Sequence, residues 1–304
     1  MNVVEFENVT RAYPKKVMAL RGVSLVLPEG TICGLVGRNG AGKTTLLRMI
    51  PALLHPTEGV VKVFGLDPWE AQEEVKKQIG YLSENEVLPN TVRIRDMTEL
   101  CASLYPKWDA VMAGDLMARF GLEPDRKLGA LSKGQKRQVG LLCAVCHKPR
   151  LLVLDEPAGG LDPVARREFL EVVVNLLADA GSTVIFSSHI LSDLERVAQR
   201  LVVLHEGLIL LDRPVDDLKE NVCRVEIAGE RIPQDAKDLL AGRKGCFHVV
   251  QKDSSPLKVT LECAPDEATE FLKKLLPEAP DIRAGNTVAL SLEDIFIELT
   301  GGRS

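Results

Sequence analysis

The sequence predicts an α/β protein: a mostly parallel sheet with helices on its faces over residues 1–220, carrying an inserted helical subdomain at about 90–148, then a small α+β domain over 221–304. Three observations predict it. Up to residue 210, short β-rich runs alternate with longer amphipathic segments, the order that builds βαβ units. The runs 31–36, 151–154 and 183–187 are almost wholly apolar or small, as central strands covered on both faces must be. Near residue 220 the pattern changes to short strands and helices in a different order.

In chain order, strands are expected at Val3–Phe6, Val23–Leu27, Thr31–Val36, Val60–Val63, Ile79–Leu82, Leu151–Leu154, Thr183–Ser187, Leu201–His205 and Leu208–Leu211. Helices are expected at Lys43–Leu54, Glu70–Lys77, Arg95–Leu104, Ala110–Phe120, Gln135–His147 and Pro163–Ala180, where apolar residues recur at helical spacing. The stretch 90–148 holds no convincing strand, hence the inserted helical subdomain. In the second domain, strand Val222–Ala228 leads to helix Pro233–Leu240, strands Cys246–Gln251 and Leu257–Cys263, helix Asp266–Leu276 and strand Thr287–Leu290. Asp253, Ser254 and Ser255 are turn formers between the middle strands. The order βαββαβ is that of a ferredoxin-like fold.

Composition narrows the function. With 45% hydrophobic and 27% charged residues, the 304-residue chain is ordinary globular protein. Acidic residues outnumber basic ones, 43 to 38, which disfavours a broad nucleic-acid surface. No apolar run reaches the roughly 18 residues that a membrane span needs. The start, MNVVEFENVT, lacks the basic and apolar regions of a secretory signal, so the chain is expected in the cytoplasm. Its seven cysteines should then be reduced. Cys143, Cys146 and His147 spell C-x-x-C-H, a haem-attachment pattern, but Val139, Leu142, Cys143 and Cys146 fall on one helix face. Helix packing is the expected role, and no haem.

GLVGRNGAGKTTL contains Gly37, Arg38, Asn39, Gly40, Ala41, Gly42, Lys43 and Thr44, the P-loop pattern G-x-x-x-x-G-K-[ST], with Thr45 following. Its glycines let successive N–H groups converge on phosphate oxygens, and the helix from Lys43 aims its positive end at the same point. Lys43 is expected to reach the β and γ phosphates and Thr44 to ligate Mg²⁺. Leu151–Leu154 ends in Asp155 and Glu156. A strand ending in Asp places that carboxylate at the C-terminal edge of the sheet, where such folds bind ligands. Asp155 is expected to hold Mg²⁺, and Glu156 to polarise the attacking water.

Between these elements lies Leu131-Ser132-Lys133-Gly134-Gln135. Ser132 can cap the helix that follows, and Gly134 keeps the approach to its N-terminus open. With LSKGQ in place, the chain resembles an ATP-binding cassette (ABC) ATPase, the motor subunit of ABC transporters, whose signature is usually LSGGQ. The resemblance spans roughly residues 1 to 215 and implies a P-loop NTPase fold with ATP and Mg²⁺ as its ligands. It implies that Ser132, Gly134 and Gln135 meet the γ-phosphate of ATP held by an opposite subunit. Tyr13 falls where the family stacks an aromatic on adenine. Gly159-Gly160-Leu161-Asp162 is similar to the D-loop, with Gly159 in place of serine and Asp162 acting across the dimer. His189 matches the switch histidine, which contacts the γ-phosphate and orients the water with Glu156. In IGYLSEN, Glu84 stands where the family has glutamine, a residue that touches Mg²⁺ or the water.

The partners so implied are a second copy or a paired cassette, and a separate transmembrane permease docking on the segment from Glu84 to about Tyr105 at the cytoplasmic face of the membrane. The tail LSLEDIFIELTGG is similar to exporter-type cassettes. A soluble, non-transport ABC ATPase of the cofactor-assembly type is the alternative. A small-molecule kinase would share the P-loop but leave LSKGQ and His189 unexplained.

Overall fold

A computed structural model describes residues 1–14, 17–85, 88–159, 161, 163–228, 236–240, 243–251, 256–279 and 281–301. The chain divides into two compact units, Met1–Asp212 and Arg213–Ser304.

The first unit opens with strands β1 (Asn2–Tyr13) and β2 (Val17–Pro28), followed by β3 (Ile32–Val36), helix α1 (Lys43–Met49), β4 (Glu58–Val63), α2 (Gln72–Lys76) and β5 (Ile79–Leu82). Helices α3 (Ile94–Leu104), α4 (Ala110–Arg119) and α5 (Lys133–Val145) come next, then β6 (Leu151–Leu154), α6 (Pro163–Ala180), β7 (Thr183–Ser188), α7 (Leu191–Val197), β8 (Arg200–His205) and β9 (Leu208–Pro214). Six strands form one sheet in the order β5-β6-β7-β3-β8-β9. From β5 to β8 every pairing is parallel. Strands β6 and β7 are buried at every position, as both faces are covered.

One expectation is corrected here. The strands at Val3–Phe6, Val23–Leu27 and Val60–Val63 do not join the parallel sheet. They grow into β1, β2 and β4, a separate antiparallel sheet in the order β2-β1-β4. The short link between β1 and β2 accounts for their pairing: two strands joined by a few residues run antiparallel, whereas a parallel neighbour needs a long crossover. The alternating burial of β2 marks a sheet with one solvated face. A single core unites the two sheets across α1, with Phe6, Leu27, Leu46, Leu47, Met49 and Val153 among its buried members. Helix α1 stops at Met49 rather than Leu54 because Pro51 has no N–H to continue the ladder.

Between the neighbouring strands β5 and β6 lie the three helices α3, α4 and α5. Asp109 caps α4 by accepting from the Met112 N–H at 2.9 Å. Ser132 and Gln135 form a reciprocal capping box at the start of α5. Cys146 is buried, and His147 bonds through Nε2 to the Ile79 carbonyl at 3.1 Å and stacks on Tyr105, so both work in packing.

The second unit begins with α8 (Val215–Glu220) and continues with β10 (Cys223–Ala228), α9 (Ala236–Leu240), β11 (Cys246–Val250), β12 (Lys258–Leu261), α10 (Ala268–Leu275), β13 (Arg283–Ala289) and α11 (Leu292–Leu299). Its sheet order is β11-β12-β10-β13, antiparallel throughout. With α9 between β10 and β11, and α10 between β12 and β13, this is the split βαβ arrangement expected of βαββαβ. Val225, Val259, Leu261, Ala268 and Leu272 centre its own core. The expected start of α9 at Pro233 and the turn at Asp253, Ser254 and Ser255 lie outside the described residues. Helices α7, α8 and α11 were not expected from the sequence. The first two are only seven and six residues long, too short for an apolar period to stand out.

Candidate functional site

Register places the site. Leu82 pairs with Leu154, Leu154 with Phe186, and Ser188 with Val36. The parallel strands β5, β6, β7 and β3 therefore end together, and the residues after each converge on one edge: Glu84, then Asp155 and Glu156, then His189, then the loop from Gly37. An open cleft of about 620 Å³ lies there, lined among others by Tyr13, Asn39, Lys43, Glu84, Glu156 and His189.

The loop from Gly37 to Gly42 joins β3 to α1. Gly42 has φ 110°, a left-handed conformation that side chains avoid, and a Cβ there would meet the Ala19 carbonyl oxygen at 2.5 Å. Gly40, at φ 82°, likewise takes a left-handed conformation and has open space where a side chain would stand. Lys43 is buried and donates to the Gly37 carbonyl at 2.7 Å, with its ammonium 3.5 Å from Glu156 Oε1. Half-buried Thr44, in the first turn of α1, donates through Oγ1 to Asp155 Oδ1 at 3.2 Å.

Asp155 is fully buried. Burial pushes its carboxyl above the usual range, and the negative charges of Glu84 and Glu156 act in the same direction, while hydrogen bonds from Ser187 and Thr44 oppose it. Its Oδ2 is buried with no hydrogen-bond partner among the described residues. An orphaned oxygen on a carboxylate that also accepts from a threonine hydroxyl offers the hard oxygen donors that suit Mg²⁺.

Glu156 sits at φ 47°, a left-handed conformation costing a non-glycine residue about 1–3 kcal/mol. Its backbone is tied on both sides. The N–H donates to Ser187 Oγ at 2.8 Å, and the carbonyl accepts from the Gly159 N–H at 3.0 Å and from Arg137 at 2.8 Å. The side chain reaches His189 Nδ1 at 2.7 Å. The Tyr13 ring lies under the Arg11 guanidinium at 5.0 Å, and its hydroxyl is 3.4 Å from Thr45 Oγ1.

The predicted residues thus divide. Tyr13, Arg38, Asn39, Gly40, Ala41, Gly42, Lys43, Thr44, Thr45, Glu84, Glu156 and His189 line one cleft. Gly37 and Asp155 stand directly behind it, bonded to Lys43 and Thr44. Ser132, Gly134 and Gln135 do not line the cleft of their own chain, although their neighbour Lys133 does. Asp162 and Gly160 lie outside the described residues. Two buried residues escaped the sequence reading: Ser187, which bridges Asp155 and Glu156, and Arg137. Both sat inside segments legible only as a strand and a helix.

Residues 20–159 match the family model described as ABC transporter. The chain is 32% identical over 302 residues to the bacitracin transport ATP-binding protein BcrA of Enterococcus faecalis, covering 99% of this chain and 97% of that protein. It is 28% identical over 301 residues to the ABC transporter ATP-binding protein YtrB of Bacillus subtilis, covering 99% of each. Among solved structures, an ATP-binding subunit of an ABC transporter superposes with a TM-score of 0.65 at 28% identity, over 71% of this chain and 92% of that one.

Proposed function

Because the chain belongs to the ATP-binding cassette family, as an ATP-hydrolysing subunit of ABC transporters, we propose how its residues divide that work and which partners they serve. The observation that carries the reading is the convergence of Lys43, Thr44, Asp155, Glu156 and His189 at the end of one parallel sheet.

The loop from Gly37 to Gly42 and the N-terminus of α1 bind the phosphates through backbone N–H groups. Lys43, which bonds the Gly37 carbonyl, turns to the β and γ phosphates when nucleotide enters. Thr44, Asp155 and Glu84 hold Mg²⁺, which supplies neutralisation of the charge developing on the phosphate oxygens. Glu156 takes the proton of the attacking water, and His189 fixes the direction of its carboxylate through the 2.7 Å bond. Tyr13 stacks on the adenine. Ser132, Gly134, Gln135 and Asp162 serve the nucleotide of a second copy or a paired cassette, so ATP closes a dimer and hydrolysis opens it.

The partner is a separate membrane permease, with the chain held peripherally at the cytoplasmic face and the cargo moving outward. A groove of about 340 Å³ supports this docking; it is lined by Leu53, Leu88, Met97, Leu100, Leu104 and Tyr105. Leu53, Leu100 and Leu104 are more than half exposed, an apolar patch suited to a partner. Among the described residues no helix is long and apolar enough to cross a membrane.

The test is to capture tagged Glu156→Gln with Mg-ATP from detergent-solubilised native membranes and identify its partners by mass spectrometry. A polytopic membrane protein in stoichiometric amount is the expected result. Soluble partners alone, from a protein that still dimerises on ATP, would reassign the motor to a non-transport process.

A further inference from the structure

Arg137 lies in the second turn of α5 and is 4% exposed. A buried guanidinium is costly unless its donors are satisfied. This one serves two separate loops. One terminal nitrogen donates to the Ser83 carbonyl at 2.7 Å and to the Glu84 carbonyl at 2.9 Å, in the loop that follows β5. The other donates to the Glu156 carbonyl at 2.8 Å, in the loop that follows β6. The planar fork fixes the angle between these bonds, so it sets the position of one loop against the other.

The local sequence leaves room for this tie. A Cβ at residue 159 would stand 3.2 Å from the Glu156 carbonyl oxygen and 3.6 Å from the Arg137 terminal nitrogen. Gly159 therefore leaves the approach of the guanidinium uncrowded. Glu156 also needs the anchor. At φ 47° it relies on its surroundings to keep a conformation that it would not choose, and Arg137 is one of the donors on its carbonyl.

We propose that Arg137 is a positioning residue for ATP hydrolysis: it holds Glu156 in its left-handed orientation and makes that orientation depend on the loop carrying Glu84. A displacement of the Ser83–Glu84 backbone passes through the guanidinium to the Glu156 carbonyl and turns the carboxylate away from the water it activates. The proposal rests on the reading of Glu156 as the general base.

Arg137→Lys and Arg137→Met test it, each made alone and together with Glu156→Gln in the full chain. Lysine keeps the charge but not the fork. The readouts are kcat and KM for ATP, equilibrium binding of a fluorescent ATP analogue, and the melting temperature. A misplaced base should lower kcat by about 10²-fold in both variants, with ATP affinity held within about threefold. On the Glu156→Gln background the same substitutions should lower turnover no further, because their effect runs through the side chain already removed. A merely structural role would reduce the folded fraction and multiply with Glu156→Gln. Near-normal kcat in a folded Arg137→Lys or Arg137→Met protein overturns the proposal, as does a full further loss in the double variants. Near-normal turnover of Glu156→Gln alone would instead remove the base on which the proposal depends.

Discussion

Ser187 offers a test in which stability and the site are read together. Its hydroxyl is buried, donates to Asp155 Oδ1 at 2.9 Å and accepts from the Glu156 N–H at 2.8 Å. Ser187→Ala removes both bonds without changing the strand. The Glu156 N–H loses that acceptor, and the Asp155 carboxylate, whose Oδ2 already has no partner, keeps among the described residues only the Thr44 bond at 3.2 Å. Each buried polar group left unmatched costs about 1–3 kcal/mol, so a total of about 3 kcal/mol is expected. For a unit of the size of Met1–Asp212, that corresponds to a fall in melting temperature of about 6–12 °C. The sign for Asp155 follows from the same loss: a bond that favours its charged form is gone, so its already raised pKa moves further up. Differential scanning calorimetry of the nucleotide-free protein near neutral pH is the assay. A melting temperature within about 2 °C of the parent would refute the claim that this hydroxyl holds the two carboxylate residues in place.

Two further outcomes follow from titratable groups away from the cleft. Burial holds the His147 pKa below its ordinary value of 6.5, so the unfolded chain takes up a proton first as the pH falls, and stability drops from there towards the folded value. The melting temperature should therefore decline between about pH 7.5 and pH 5.5, and His147→Gln should flatten that slope; an unchanged slope would contradict it. Burial pushes the Cys33 and Cys146 thiols up to about 12 and Cys246 up to about 11. At about pH 8 these three should resist iodoacetamide in the native protein, while the half-buried Cys143 is modified first. Labelling of Cys33 as fast as Cys143, read by mass spectrometry, would count against that core.

The parts of the fold legible in the sequence are those set by local chemistry. A phosphate-binding loop needs glycines at fixed offsets, and Gly42 at φ 110° shows why one of them must be glycine. The apolar runs of β6 and β7 announced strands covered on both faces, and both are buried throughout. The alternation of β and α segments in the second unit was enough to give its topology. What stayed hidden depends on partners distant in sequence. Nothing in the short apolar runs of β1, β2 and β4 distinguishes a place in the parallel sheet from a sheet of their own. Arg137 reads as one more polar residue on a helix until the fold brings it to carbonyls 53 and 19 residues away. Ser187 reads as an ordinary strand residue until Asp155 and Glu156 arrive beside it. Lys133 shows the same limit: it lines the cleft of its own chain, while the Ser132, Gly134 and Gln135 around it do not.

In the proposed mechanism Glu156, held between Lys43 and His189, is the base that activates water against ATP bound at the Gly37–Thr44 loop. Its most direct test is steady-state ATP turnover of Glu156→Gln measured beside equilibrium ATP binding on the same preparation. A fall in kcat of about 10²-fold or more with nucleotide affinity retained is the expected result. Turnover close to that of the parent protein would contradict it.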